Sequence, residues 1–446
     1  MSALTQERAD VVRTLIQAAP DSAVRSLEAA LRGETSGSSL SAVKTIVFEE
    51  MKDRQVRDAV FGPITPLFTP RADGFEQLNF PRVAFTRMWR ALKALKPFET
   101  TQAANTPLRR YEDDPIPPIY DHLCKLAGDA LKARQGDFAG LAEMLNGQRP
   151  GAEAELAACL ELAPIARNAL AQLPTWLARM SDERQAAARL MFKDAVAISD
   201  DSGPRLIEIL FAHLAEPWTI LRVVSAVMLK PGDSYASSSE LADFGMRLLR
   251  DIDKRAAFIK NFSYEGGTAA GREAADSLRI AASVAGEFEV SLAMARDGPW
   301  GERLAKQKQL LAAAAEGHLK KLEKIVGDAL PSQTVRIGAR KARGLPKLDG
   351  PPDPLAVRKA QAALAFFAGI RSVANQSGYG AMRAKVLEEV AHGLDGYLEE
   401  LLSMIHSGEG DNLDLARQYL DIAAEFTGLV HDDQAAQIVR RRAAAA

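Results

Sequence analysis

At 446 residues the chain exceeds what one ordinary core accommodates, so length alone predicts two or three domains. Hydrophobic residues at 47% exclude a disordered chain, and aromatics at only 6% leave much of the apolar content to Ala, which suits closely packed helices better than thick sheet cores. A formal charge of −2 excludes global attraction to nucleic acid or anionic membrane, so any charge-driven partner must use a local patch.

Residues 4–32 read as a helical hairpin. Leu4, Val11, Val12, Leu15 and Ile16 recur at helical spacing, and Asp21 suits the cap of the second helix after Pro20. A helix is predicted from about Leu40 to Val60. Residues 61–80 hold Pro63, Pro66, Pro70 and Gly74, and residues 97–118 hold Pro97, Pro107, Pro115, Pro117 and Pro118; this density predicts irregular loops on either side of one helix at 81–95. From about 116 to 262, helices follow one another with short breaks, and Pro204–Leu229 reads as two short helices joined at Glu216-Pro217. No fixed repeat period of 33 to 47 residues stands out.

Helices over about 268–296 and 301–329 follow. In the second, Leu311, Ala315, Leu319, Leu322, Val326 and Ala329 step by threes and fours to form a packing seam. Thr268 suits the start of the first. Residues 331–352, rich in Gly and Pro, read as a linker in which Thr334–Ile337 is the best strand signal. Three helices then follow, at about 354–375, 380–407 and 411–430, with Asp411 and Asn412 at an N-cap and a frayed tail beyond.

The resulting expectation is an all-α protein. It has a multi-helical N-terminal region, either an orthogonal bundle or an irregular α-solenoid, followed by a C-terminal helical bundle. The expected boundaries are 1–115, 116–330, a flexible basic linker at 331–352, and a three-helix unit at 353–446.

Tests for chemistry return no motif. No His-x-x-x-His is present; Glu389-Val-Ala-His392 has the spacing of a di-iron half-site but no second copy, and reads as a solvated pair flanking a helix stripe. There is no Gly-x-Ser-x-Gly elbow. Asp113-Asp114, Asp200-Asp201 and Asp432-Asp433 lack the helical follow-on that metal chelation needs, and Gly266–Glu273 has the glycines of a phosphate loop without its Lys-Ser/Thr. No metal or cofactor is expected. Cys124 and Cys159 are isolated thiols inside helical patterns, which reads as two small core residues in a reducing compartment. Glu7, Arg8 and Asp10 interrupt what a signal peptide would need to be apolar, so the expected location is the cytoplasm.

Two basic features stand above background. The helix around 81–96 carries Arg82, Arg87, Arg90, Lys93 and Lys96 with no acid nearby, and places Phe85, Met88, Trp89, Leu92 and Leu95 on one face, the pattern of a helix that docks in a partner groove or lies on an anionic surface. The second is the glycine-containing segment with Arg336, Arg340, Lys341, Arg343 and Lys347, a candidate arm for phosphates or acidic surfaces. The sequence therefore favours a non-catalytic cytoplasmic adaptor or scaffold whose partner is another protein. The alternatives are an enzyme with a site assembled from scattered polar residues in a helical cleft, and a peripheral membrane or nucleic-acid binder using the basic segments. The stripes on 384–405 and 304–329 also suit a homo-oligomer.

Overall fold

The computed structural model describes residues 5–33, 40–107, 115–228, 239–295, 297–336, 342–407 and 412–445. The fold is all-α, as the helical periodicity predicts, and it divides into two compact units, Met1–Leu229 and Lys230–Ala446. The units do not follow the expected boundaries. Both the position near 115 and the expected linker at 331–352 fall inside a unit, because helices on either side of each pack together.

The first unit begins with α1 (Gln6–Ala18), α2 (Asp21–Leu31) and α3 (Ser41–Val60), which enclose a small core of Ile16, Val24, Leu31, Ile46 and Val47. Asp21 does not cap α2 through its side chain; its carboxylate accepts from Arg54 of α3 at 2.6 Å, while the same guanidinium also donates to the Ile16 and Ala19 carbonyls at the end of α1. The proline-rich stretch after α3 is not wholly irregular. Gly62–Phe68 winds as a 3-10 helix that buries Ile64, Leu67 and Phe68, since the tighter i→i+3 pattern accommodates Pro63 and Pro66. It leads into α4 (Arg82–Leu95) and α5 (Pro97–Asn105). The second of these was expected as loop, but Pro97 occupies the first helical turn, where its missing N–H loses nothing.

α6 (Pro118–Lys132), α7 (Phe138–Gln148), α8 (Ala152–Ala178), α9 (Asp182–Val196), α10 (Ser202–His213) and α11 (Ile220–Val227) complete the unit, and α8 packs against α6 and α10. Arginines close several helix ends. Arg167 donates to the last carbonyls of α3, Arg71 to Phe211 and Leu214 after α10, Arg222 to Leu177 of α8, and Arg189 to Ala226 and Met228 at the end of α11. A planar guanidinium can satisfy two orphan carbonyls at once, as Arg167, Arg71 and Arg189 do.

In the second unit α12 (Ala242–Asn261), α13 (Gly267–Ser291) and α14 (Pro299–Ala329) precede an antiparallel hairpin, β1 (Ser332–Arg336) and β2 (Ala342–Pro346), with Ser332 opposite Pro346. Thr268 lies one residue inside α13 and makes no cap. α15 (Pro354–Gly369) follows, then α16 (Gly380–Ser407) and α17 (Leu413–Val430); the expected frayed tail is instead a helix, α18 (Asp433–Ala445), packed on α17. Asn412 stands at the N-cap of α17 but its amide reaches the Leu348 carbonyl at 3.3 Å. α15 is the hub. Its Ala360, Ala362, Ala363, Leu364, Phe366 and Phe367 are buried, and it contacts α13, α14 and α17. No helix among the described residues is long and apolar enough to cross a membrane.

Candidate functional site

The helix that carries the first basic feature is built into its own unit. Phe85 and Trp89, the expected anchors for a partner, are core residues instead: Trp89 is 3% exposed and Phe85 6%. Trp89 meets Phe61 edge-on at 6.0 Å, and its Nε1 donates to Asp53 at 3.1 Å. The cations on the other face are partly committed. Lys93 pairs with the same Asp53 at 2.7 Å, Arg90 donates to the Gln17 carbonyl at 2.8 Å, and Lys96 is half-buried where α4 ends. Arg82 and Arg87 remain at the surface, Arg82 at 3.8 Å from Asp21 and Arg87 beside the Met144 sulfur. Sequence periodicity located the apolar face correctly; its partner is the chain itself.

Of the second basic feature, Arg340 and Lys341 lie outside the described residues. Arg336 and Arg343 stand on the two strands of the hairpin, and Lys347 is exposed just beyond it, 3.1 Å from Asp349. The expected flexible linker therefore contains two paired strands, Ser332–Arg336 and Ala342–Pro346.

The hairpin borders the groove that best qualifies as a site. Between α14 and α16, with the hairpin at one end, lies a cleft of about 540 Å³. Helical geometry explains its make-up. Glu389, Gly393, Gly396 and Glu400 follow at three- and four-residue steps along one side of α16, and Glu323 and Gly327 do the same on α14. Val326, Leu330, Val390 and Leu394 supply the apolar floor.

Gly327, Gly393 and Gly396 are informative because no contact among the described residues needs them. A Cβ at any of the three would meet no atom within 4 Å, whereas glycine inside a helix costs about 0.5–1 kcal/mol relative to alanine. Single open glycines occur elsewhere, as at Gly140 and Gly286; here three converge on one groove. Tyr397 forms part of the same wall. It is 8% exposed, its hydroxyl is buried without a hydrogen-bond partner among the described residues, and burial holds the phenol well above its ordinary range. A buried unpaired hydroxyl costs about 1–3 kcal/mol, so the groove contains a donor that a bound group would satisfy.

Glu389 and His392, read from sequence as a solvated pair, both line this groove, and Glu389 also pairs with Lys385 at 3.6 Å. Among the described residues no group of three or more His, Cys, Asp or Glu side chains is placed to hold a metal ion. Sequence reasoning did not find Glu323, Gly327, Gly393, Gly396 or Tyr397. The one available signal was the pair of glycines within the otherwise regular stripe of α16.

The remaining polar clusters are structural. His318 and Tyr264 bond to each other in a closed aromatic nest, His213 bonds the Pro63 carbonyl at 2.8 Å, and burial pushes the Cys124 and Cys159 thiols up to about 12. No protein-family model matches the chain, and neither a curated protein nor a solved structure matches it.

Proposed function

We propose that the chain is a non-catalytic adaptor that acts in the cytoplasm and captures another protein through the groove between α14 and α16. The observation that carries this reading is the convergence of Gly327, Gly393 and Gly396 on one groove, each with open space where a side chain would stand. Folding alone would favour alanine at all three, so their absence of side chains is best matched to close approach by something outside the chain. The surroundings agree with binding rather than chemistry, since an apolar floor rimmed by polar groups is the usual make-up of a recognition site.

The test is comparative capture. Full-length protein and a Gly393→Leu/Gly396→Leu variant are tagged, expressed in the native cells, and the recovered proteins compared at matched salt. A partner retained by the wild type and absent from the filled-groove variant, with both melting at the same temperature, supports the reading. Identical recovery from both removes the groove from it.

A further inference from the structure

We propose that the groove between α14 and α16 takes an amphipathic helix of a partner protein, one that carries lysines or arginines along one edge and carboxylates along the other. This rests on the reading of the groove as a partner site and adds the shape and charge of what enters it. The two rims carry opposite charge. On α14, Lys320, Lys324 and Gly327 follow at steps of four and three, so the two lysines border the side of the groove that Gly327 lines. Lys324 is exposed and forms no ion pair among the described residues. Lys320 is held by Glu316 at 3.7 Å, with side chains 64% and 35% exposed, a pair of little worth. Glu323 lies between this edge and the floor, so the positive charge of α14 is confined to the outer edge. On α16, Glu388, His392, Asp395 and Glu399 follow at steps of four, three and four, and His392 lines the groove. Glu388, Asp395 and Glu399 are exposed and form no ion pair among the described residues. Glu389 is already paired with Lys385 and takes no part.

A helix fits this layout and an extended chain does not. Asp395 follows Glu388 by seven residues and Glu399 follows Asp395 by four, which is about 10.5 and about 6 Å along α16. A partner helix lying beside α16 reproduces both steps with cations at its own i, i+7 and i+11, whereas same-side residues of a strand recur only at about 6.8 Å. Gly327, Gly393 and Gly396 leave open space on both walls, which lets a third helix axis come closer than the usual separation of about 8–10 Å. The Tyr397 hydroxyl is the independent sign of a missing group, since it is buried in that wall and no described residue satisfies it. A polar side chain on the inner face of the helix supplies the partner it lacks. A second copy of the chain fits less well. Face to face about a two-fold axis along the groove, groove would lie over groove and the space would stay empty.

The experiment measures binding of dye-labelled synthetic peptides to the intact chain by fluorescence anisotropy. The probe is an alanine- and leucine-rich helix of about 18 residues, about five turns, with lysines along one edge and glutamates along the other. Its comparators carry lysine on both edges, glutamate on both edges, or one central proline that breaks the helix. The expected result is saturable binding of the two-signed helix, at least about tenfold tighter than any comparator and weakening as salt is raised. Gly393→Leu/Gly396→Leu should abolish it. Glu388→Lys/Asp395→Lys/Glu399→Lys makes both rims basic and should move the preference to the glutamate peptide, a switch that a misfolded variant cannot produce. Equal affinity for either single-signed peptide would overturn the charge assignment, and an unweakened proline peptide would overturn the helix. No binding of any peptide overturns the inference, and the groove reading is then decided separately by the filled-groove capture. Sedimentation of the free protein covers the other occupant: a dimer that Gly393→Leu/Gly396→Leu converts to monomer would overturn the inference and give the groove to a second copy.

Discussion

The Tyr264 hydroxyl donates to His318 Nδ1 across 2.5 Å, and the direction of that bond is fixed from the other side of the ring. His318 Nε2 lies 2.7 Å from the Ile259 carbonyl, which only accepts, so Nε2 carries the proton and Nδ1 of the neutral ring is the acceptor. Phe262 and Phe366 pack on the imidazole, and burial holds its pKa below the ordinary 6.5. The unfolded chain then takes up a proton that the native ring resists. Stability from this group is complete above about pH 6.5 and declines as pH falls below it. His213 shifts in the same direction. Thermal melts from about pH 7.5 to about pH 5 should show a falling midpoint, and His318→Gln should flatten part of that fall. An NMR titration placing His318 at or above 6.5 would remove the explanation.

Arg167 presents a second case in which one side chain serves two elements. It donates to the Ala59 and Val60 carbonyls at 2.9 and 2.6 Å and pairs with Asp121 at 2.9 Å, with only 12% of its side chain exposed. Arg167→Leu leaves those carbonyls and the carboxylate without their partner, and should cost about 3 kcal/mol. Arg167→Lys should recover little, because one ammonium cannot reproduce the fork. Denaturant titration of the three proteins checks both statements; full recovery by lysine would show that charge alone matters here.

The helices were legible in the sequence wherever an apolar stripe ran uninterrupted. Leu394, Leu398, Leu401 and Ile405 on α16, and Leu311 to Ala329 on α14, are buried as their spacing requires. Errors fell where proline was read only as a breaker, at Gly62–Phe68 and Pro97–Asn105, and where packing between distant segments decides, as when α15 is drawn onto α13 across the expected linker. The candidate site was legible only in fragments. Glu389 and His392 drew notice for their spacing, but the groove exists because α14 lies beside α16, and no local pattern records that.

Cys124 and Cys159 are fully buried, and Cys124 donates to the Val60 carbonyl at 3.1 Å. With both thiols pushed up to about 12, thiolate is scarce at neutral pH and access requires opening of the core. Labelling of the native protein by a maleimide should therefore be slow and should track unfolding as denaturant is added. Rapid stoichiometric labelling in buffer would contradict the burial.

Trp89 and Arg87 separate core from surface on a single helix. Trp89→Ala removes a buried indole, its edge contact with Phe61 and its bond to Asp53, and should cost about 3–5 kcal/mol. Arg87→Glu changes an exposed side chain whose one polar contact among the described residues is the Met144 sulfur, and should stay within about 0.5 kcal/mol. Chemical denaturation of the two variants tests the assignment, and a mild Trp89→Ala would return that face to the list of partner surfaces.

Gly271 and Gly286 lie in the same helix, α13, yet alanine should act on them in opposite directions. A Cβ at Gly271 would come within 2.0 Å of the Ala362 carbonyl oxygen and 3.0 Å of the Ala365 Cβ, because α13 and α15 cross backbone to backbone there. Relief requires the two helices to move apart along the most heavily packed contact of the second unit, so Gly271→Ala should cost at least about 2 kcal/mol. At Gly286 the same methyl meets nothing within 4 Å. There the gain in helix propensity and the reduced freedom of the unfolded chain should stabilise the protein by about 0.5–1 kcal/mol. Paired thermal melts distinguish these effects from any general response to losing a glycine. A harmless Gly271→Ala would mean that α13 and α15 do not approach as closely as the contact with Ala362 requires.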